Sequence, residues 1–253
     1  MTALFSAYVI CGTPRSGSTL LCEMLGASGV AGRPNSFFRA QDIAYWSESW
    51  GVPISGGTES AQFDRDYLAE MVREGTADTG IFGIRIMWPS IAEATRRLDR
   101  AHGDCADIVA RFASLFGPVL YIHLCRSDKV AQAVSLLRAE RSGRWHLAAD
   151  GSVLEGGEVL QDVTYDPVRI AEIVAELEVH QAEWEAFFTN HRIKPLRLVY
   201  ETMTADPQHA LADIFAALGR DREIALRVPI KTSKMADATS REWIDRFKVS
   251  RGA

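Results

Sequence analysis

At 253 residues the chain is long enough to bury one full α/β core. Its 47% hydrophobic and 24% charged residues are ordinary for a soluble globular protein, and a net charge of −5 disfavours a general nucleic-acid binder. No stretch approaches the ~18 apolar residues of a membrane span, and no basic-then-apolar leader opens the chain. Cys11, Cys22, Cys105 and Cys125 have neither metal nor redox spacing, so buried, reduced thiols in a cytoplasmic protein are expected.

The elements expected in chain order alternate. Ala7–Cys11 reads as a buried strand, and Ser18–Gly26 as a helix with Leu20, Leu21, Met24 and Leu25 on its apolar face. A loop over Gly29–Pro34 and the stretch Asn35–Arg39 lead towards Phe63–Arg73, which has helical spacing. Gly80–Met87 reads as a second buried strand, with Ile91–Asp99 and Ile108–Leu115 helical after it. Val119–Leu124 is the most continuous buried strand, and Lys129–Arg141 is the helix that follows. Ser142–Val163 is Gly-rich and weakly periodic and reads as a mobile surface segment or lid. Asp166 caps and Pro167 opens a long helix. Its Ile170, Ile173, Val174, Leu177, Trp184, Phe187 and Phe188 recur as a core stripe. Leu196–Tyr200 is a further strand, and Ala210–Leu218 a helix stopped by Gly219. Trp243, Ile244 and Phe247 predict a docked helix in a polar tail. Strands separated by helices predict an α/β protein with a P-loop-type parallel sheet flanked by helices. One domain over 1–253 is expected, with insertions at about 36–78 and 142–165.

The first strand, a glycine turn and a helix start reproduce phosphate-loop spacing in Gly12, Thr13, Pro14, Arg15, Ser16, Gly17, Ser18 and Thr19. Ser18 stands where nucleoside-triphosphate enzymes keep their lysine, and the cation is displaced to Arg15. Converging backbone N–H groups and the positive end of the following helix suit an anion. A phosphate ester that is not a Mg-triphosphate fits such a loop; a divergent P-loop kinase is the alternative from another enzyme class. Arg126 leaves the third strand just before a helix and offers a donor fork matching phosphate geometry. On residue type alone, a surface pair with Asp128 competes with that reading.

The two segments TPRSGSTLL and HLCRSDKVAQAVSLLRA, with Tyr200-Glu201 and Asp206-Pro207, resemble the sulfotransferases that use 3′-phosphoadenosine 5′-phosphosulfate (PAPS). The further segments GVAGRPNSFF, GIRIMW, QAVS and SREWIDRF resemble their bacterial, trehalose 2-sulfotransferase-like branch and span nearly the whole chain in order. The resemblance implies sulfuryl transfer from PAPS, without a metal, to a hydroxyl of a carbohydrate, glycolipid or other small molecule. It implies that Thr13, Pro14, Arg15, Ser16, Gly17, Ser18 and Thr19 hold the 5′ side of PAPS and that Arg126 and Ser135 hold its 3′-phosphate. Lys234 is a further phosphate candidate, and Arg85 stands where relatives carry lysine and faces the sulfuryl group. The insertions form the acceptor side, with Arg33, Ser36, Phe37 and Trp88 as acceptor-binding candidates beside Phe38, Trp46, Trp50 and Trp145. A homodimer is implied by the relatives alone.

The general base is not where relatives place it. The branch's glutamate position holds Ser36, and the histidine position of other sulfotransferases holds Met87. His146, Glu140 and Glu48 are the replacement candidates, and a nucleotide-binding protein without efficient catalysis is the alternative. His123 reads as a satisfied core histidine; His102, His180, His191 and His209 fall on helical or loop surfaces and receive no role.

Overall fold

The runs AYVICG, FGIRIM and VLYIHLC are apolar on both faces, as strands covered by helices on both sides must be. The computed structural model describes residues 5–54, 57–105, 107–147, 153–156, 164–230 and 238–251, with the backbone alone at 144–147, 153–156 and 251. In chain order, β1 (Ala7–Gly12) leads into α1 (Ser18–Ala27), followed by α2 (Ile43–Trp50) and α3 (Ala61–Thr76). Next come β2 (Phe82–Met87), α4 (Ile91–His102), α5 (Ile108–Phe116), β3 (Val119–Cys125) and α6 (Lys129–Ser142). The chain continues through β4 (Arg144–Leu147), β5 (Val153–Gly156), α7 (Pro167–Asn190) and β6 (Leu196–Val199). Finally come α8 (Tyr200–Ala205), α9 (Pro207–Ala217) and α10 (Ala238–Arg251).

The main sheet has the order β2-β1-β3-β6, and every pair in it is parallel. This is the flanked parallel sheet of a P-loop-like α/β fold, as the strand–helix alternation predicts. The period of two sorts β1: Tyr8 and Ile10 pack with Leu21, Met24, Ile214 and Phe215, whereas Val9 and Cys11 pack with Leu98, Phe112, Trp184 and Phe188. On β2 the same alternation sends Phe82, Ile84 and Ile86 to the second face. Arg85 is thereby turned to the side on which α1 begins.

Asp166 accepts from the Arg169 N–H at 2.9 Å, and Pro167 opens α7, as expected. The α7 stripe is core: Ile170, Ile173 and Leu177 pack with α6 and with Trp243 and Phe247 of α10. Burying each such side chain contributes roughly 1.5–3 kcal/mol. Asp64 is fully buried and held by Arg97 at 2.6 Å and Arg100 at 2.5 Å, which ties α3 to α4.

Three expectations change. Residues 43–50 form a helix, although the sequence pattern marked none there. Within the segment expected to be a surface segment or lid, β4 and β5 pair as an antiparallel hairpin. Tyr200 does not end a strand but opens α8. No helix among the described residues is long and apolar enough to cross a membrane.

Candidate active site

Strands β1, β2, β3 and β6 all end at one edge of the sheet, where ligands of open parallel sheets bind. The loop after β1 bends through left-handed conformations at Arg15 (φ 63°) and Gly17 (φ 87°). A non-glycine residue there costs about 1–3 kcal/mol. Such alternation folds successive N–H groups into a concave nest. Gly17 is the N-cap of α1 without any side-chain cap bond, so the first N–H groups of α1 lack an intrahelical partner. A Cβ on Gly17 would lie 2.5 Å from the Tyr200 ring, so only glycine fits between loop and α8.

The loop's outward oxygens are claimed by neighbouring helices. Trp184 Nε1 of α7 donates to Gly12 O at 2.8 Å. Gln132 Nε2 of α6 donates to Thr13 Oγ1 at 2.8 Å and to Pro14 O at 2.6 Å. Ser16 is fully buried, and its Oγ has no hydrogen-bond partner among the described residues.

Arg126 and Ser135 reach this loop. Arg15 Nε donates to Ser135 Oγ at 2.9 Å, so α6 does pack back across the loop. Arg126 lies over the Tyr200 ring at 4.4 Å and donates to Arg15 O at 3.3 Å, while its buried Nε has no hydrogen-bond partner among the described residues. The competing surface pair with Asp128 does not form: Asp128 caps α6 through the Ala131 N–H and pairs with Lys248 at 2.9 Å. Glu201 fixes the turn by accepting from the Ser127 and Asp128 N–H groups at 3.1 and 3.2 Å. Burial raises the Glu201 pKa, but these bonds outweigh it and hold the carboxyl below its ordinary value.

Arg85 approaches from β2. Its Nε donates to Ser36 Oγ at 2.7 Å, and its Nη1 reaches Thr19 Oγ1 at 2.7 Å and Ser18 Oγ at 3.4 Å. A strand-borne cation therefore touches the loop hydroxyl that replaces the usual lysine. Ser36 is set by the Arg85 N–H, which donates to Asn35 O at 3.0 Å.

These side chains line one cavity of about 750 Å³. Pro14, Arg15, Gly17, Ser18, Thr19, Ser36, Arg85, Arg126, Ser135 and Glu140 of the predicted set are on its walls. Burial pushes the Glu140 carboxyl up, with Arg169 opposing from 3.8 Å.

Other candidates lie elsewhere. Arg33 is exposed and pairs with Glu74 at 3.6 Å. Phe37 is buried against Trp46 and Trp50, a small core beside Phe63 and Tyr67 rather than a sugar platform. Trp88 packs edge-on to Trp184 at 5.0 Å. Glu48 is exposed on α2, off the cavity wall. The side chains of Trp145 and His146 and the whole of Lys234 lie outside the described residues. His123 is a core histidine as expected, facing Arg197 at 3.1 Å and Glu185 at 3.4 Å. Burial, opposed by Glu185, lowers its pKa to about 4.

Sequence reasoning missed Tyr200 as the platform beneath Arg126, and Arg39, Gln41, Glu93 and His180 as wall residues. His180 was legible: it stands three residues after Leu177 and four before Trp184, the spacing of the buried stripe.

The sheet edge, the nest and the strand-borne arginine define a P-loop-like α/β protein whose loop carries Ser18 in place of the usual lysine. The chain belongs to the Stf0 sulphotransferase family, whose model matches residues 7–250. Trehalose 2-sulfotransferase of Mycolicibacterium smegmatis is 27% identical over 266 residues, covering 96% of this chain and 94% of the relative. The enzyme of that name from Mycobacterium tuberculosis is 27% identical over 267 residues, covering 98% and 97%. A crystal structure of a sulfotransferase from Alicyclobacillus acidocaldarius aligns with a TM-score of 0.45 at 15% identity, covering 96% of this chain and 91% of that one. Membership of the family supports a sulfotransferase activity.

Proposed function

We propose that the protein transfers a sulfuryl group from PAPS to a hydroxyl of a small carbohydrate, glycolipid or similar acceptor. The observation that carries this reading is the Arg15–Ser135 contact at 2.9 Å, which joins two anion corners into one surface. The buried Ser16 Oγ and Arg126 Nε, without hydrogen-bond partners among the described residues, are the atoms such a ligand would satisfy. Residues 13–19 would hold the 5′ side, and Arg126 with Ser135 the 3′-phosphate. PAPS supplies an activated sulfuryl group with less charge to neutralise than a triphosphate, so no metal is called for. Arg15 and Arg85 would hold charge on the leaving phosphate oxygen. Ser36, Arg39, Gln41, Ser90 and Glu93 add polar groups to a wall that also carries Leu20, Phe38, Met87 and Leu136, a mixture that suits the hydroxyls and the ring faces of a sugar, and the mycobacterial relatives are named for a disaccharide.

One observation favours the second reading, a nucleotide-binding protein that transfers poorly. Ser36 Oγ is bound by Arg85, and Met87 lines the cavity, so neither family position offers a base.

A thermal-shift comparison of PAP, the desulfated nucleotide, with Mg-ATP tests the donor site. At 100 times its dissociation constant a ligand adds about 2.7 kcal/mol, or about 5–10 °C for a chain of this size. A shift with PAP and none with Mg-ATP is expected; a shift with Mg-ATP alone would overturn the reading in favour of a kinase.

A further inference from the structure

Besides Tyr200, which lies under Arg126, the cavity wall carries four groups able to accept a proton: Glu93, Glu140, Glu176 and His180. Each carboxylate already faces arginine. Glu93 pairs with Arg96 at 2.6 Å and Arg97 at 2.5 Å, Glu176 with Arg169 at 2.8 Å, and Glu140 with the same Arg169 at 3.8 Å. Among the described residues the His180 side chain makes no hydrogen bond or ion pair.

Position separates them further. Helices α6 and α7 run antiparallel, since Lys129 Nζ donates to Gln181 Oε1 at one end and Glu140 faces Arg169 at the other. The loop is at the Lys129 end, where Gln132 and Ser135 hold Pro14 and Arg15. Glu140 is eight residues past Gln132, about 12 Å along the helix. On α7, Trp184 is bonded to the end of β1 and meets Trp88, just past the end of β2. His180 is one turn away on the same face, about 6 Å along the axis. It therefore stands one turn from the residue that touches the ends of β1 and β2, on the cavity wall it shares with the loop and with Met87, which leaves the family's histidine position without a base.

We propose that His180 is the general base of sulfuryl transfer, an assignment that rests on the PAPS reading above. A ring nitrogen takes the proton of the acceptor hydroxyl as that oxygen bonds to sulfur. The bond from sulfur to the 5′-phosphate oxygen breaks, and its electron pair stays on that oxygen beside Arg15 and Arg85. The charged groups that share the cavity wall with the imidazole are Glu176 on its own helix, Glu140 on α6, Glu93 on α4, and Arg15, Arg39, Arg85 and Arg126.

The test uses the wild type, His180→Gln, His180→Ala and Arg126→Ala. Three readouts are taken: PAP affinity by calorimetry, radiolabelled sulfate released from PAPS with water as acceptor, and transfer to trehalose. Both His180 variants should bind PAP as the wild type does, while turnover falls on the order of 100-fold. Their pH profiles should lose the acidic limb, and added imidazole should restore part of the His180→Ala rate. Turnover near the wild-type rate in either variant, or a fall in rate matched by lost PAP affinity, overturns the assignment. A wild type that binds PAP but neither releases nor transfers sulfate overturns it too, in favour of the binding-only reading. A wild type that does not bind PAP sinks the donor reading itself, an outcome Arg126→Ala then cannot alter.

Discussion

Arg126→Ala should separate the two phosphate corners. Its guanidinium contacts the Tyr200 face at 4.4 Å and Arg15 O at 3.3 Å, and its buried Nε has no hydrogen-bond partner among the described residues. Those protein contacts exist before any ligand arrives, so their loss appears as stability. The stacking is worth about 0.5–2 kcal/mol, a fall in midpoint of about 1–8 °C. The ligand contact is a separate quantity. A charge-assisted bond to a phosphate is worth about 1.5–3 kcal/mol, so the PAP dissociation constant should rise about 10- to 100-fold. Calorimetry with PAP and with adenosine 5′-monophosphate, which lacks the 3′-phosphate, distinguishes the corners. Arg126→Ala should weaken PAP and leave the monophosphate unchanged, whereas Arg15→Ala should weaken both. Equal losses for the two nucleotides in Arg126→Ala would refute the assignment of this arginine to the 3′ side. Tyr200→Phe keeps the ring and should preserve PAP affinity.

Gly17→Ala should destabilise the protein by about 2 kcal/mol or more, because a left-handed non-glycine residue alone costs ~1–2 kcal/mol and its Cβ would collide with Tyr200; thermal denaturation reads this, and an unchanged midpoint would contradict the geometry. Arg85→Ala removes the cation bonded to Thr19 and Ser36; turnover should fall by about 100- to 1,000-fold with a smaller change in PAP affinity, and the opposite pattern would make Arg85 a binding residue only. His123 is held neutral by burial, its pKa down from 6.5 to about 4. The unfolded chain therefore binds the extra proton first as pH falls. Stability is fully present above about pH 6.5 and is lost progressively down to about pH 4, by on the order of 3 kcal/mol at most. Urea denaturation of His123→Asn across this window should show a shallower decline than the wild type, and identical slopes would acquit this histidine.

Local patterns carried most of the architecture. The apolar run before Gly12, the glycines of the loop and the stripe of α7 each encode their element within a few residues, so β1, α1 and α7 were legible. The sequence IAYWSESW was not, because its aromatic and serine residues are weak helix formers. Its helix is stabilised instead by Phe63 and Tyr67, which belong to α3. The site divides in the same way. Arg15 and the loop follow from local spacing, but Arg15 meets Ser135 across 120 residues, and Arg85 meets Thr19 across 66. Only the strand order β2-β1-β3-β6 brings them together. The aromatic residues were ambiguous for the reciprocal reason: residue type alone suits both an acceptor pocket and the packing of a small subdomain, and Phe37, Trp46 and Trp50 close a small core.

The cavity wall includes Ser240 and Ile244 of α10, which is anchored by Trp243 and Phe247 and by the bond from Arg138 to Ser240. Synthesis delivers the loop near the start of the chain and this wall near its end. Folding during translation proceeds from the N-terminal side, so a ribosome stalled before Ala238 would hold a finished sheet and loop facing an open flank. The cavity is therefore complete only once α10 has docked through Trp243 and Phe247.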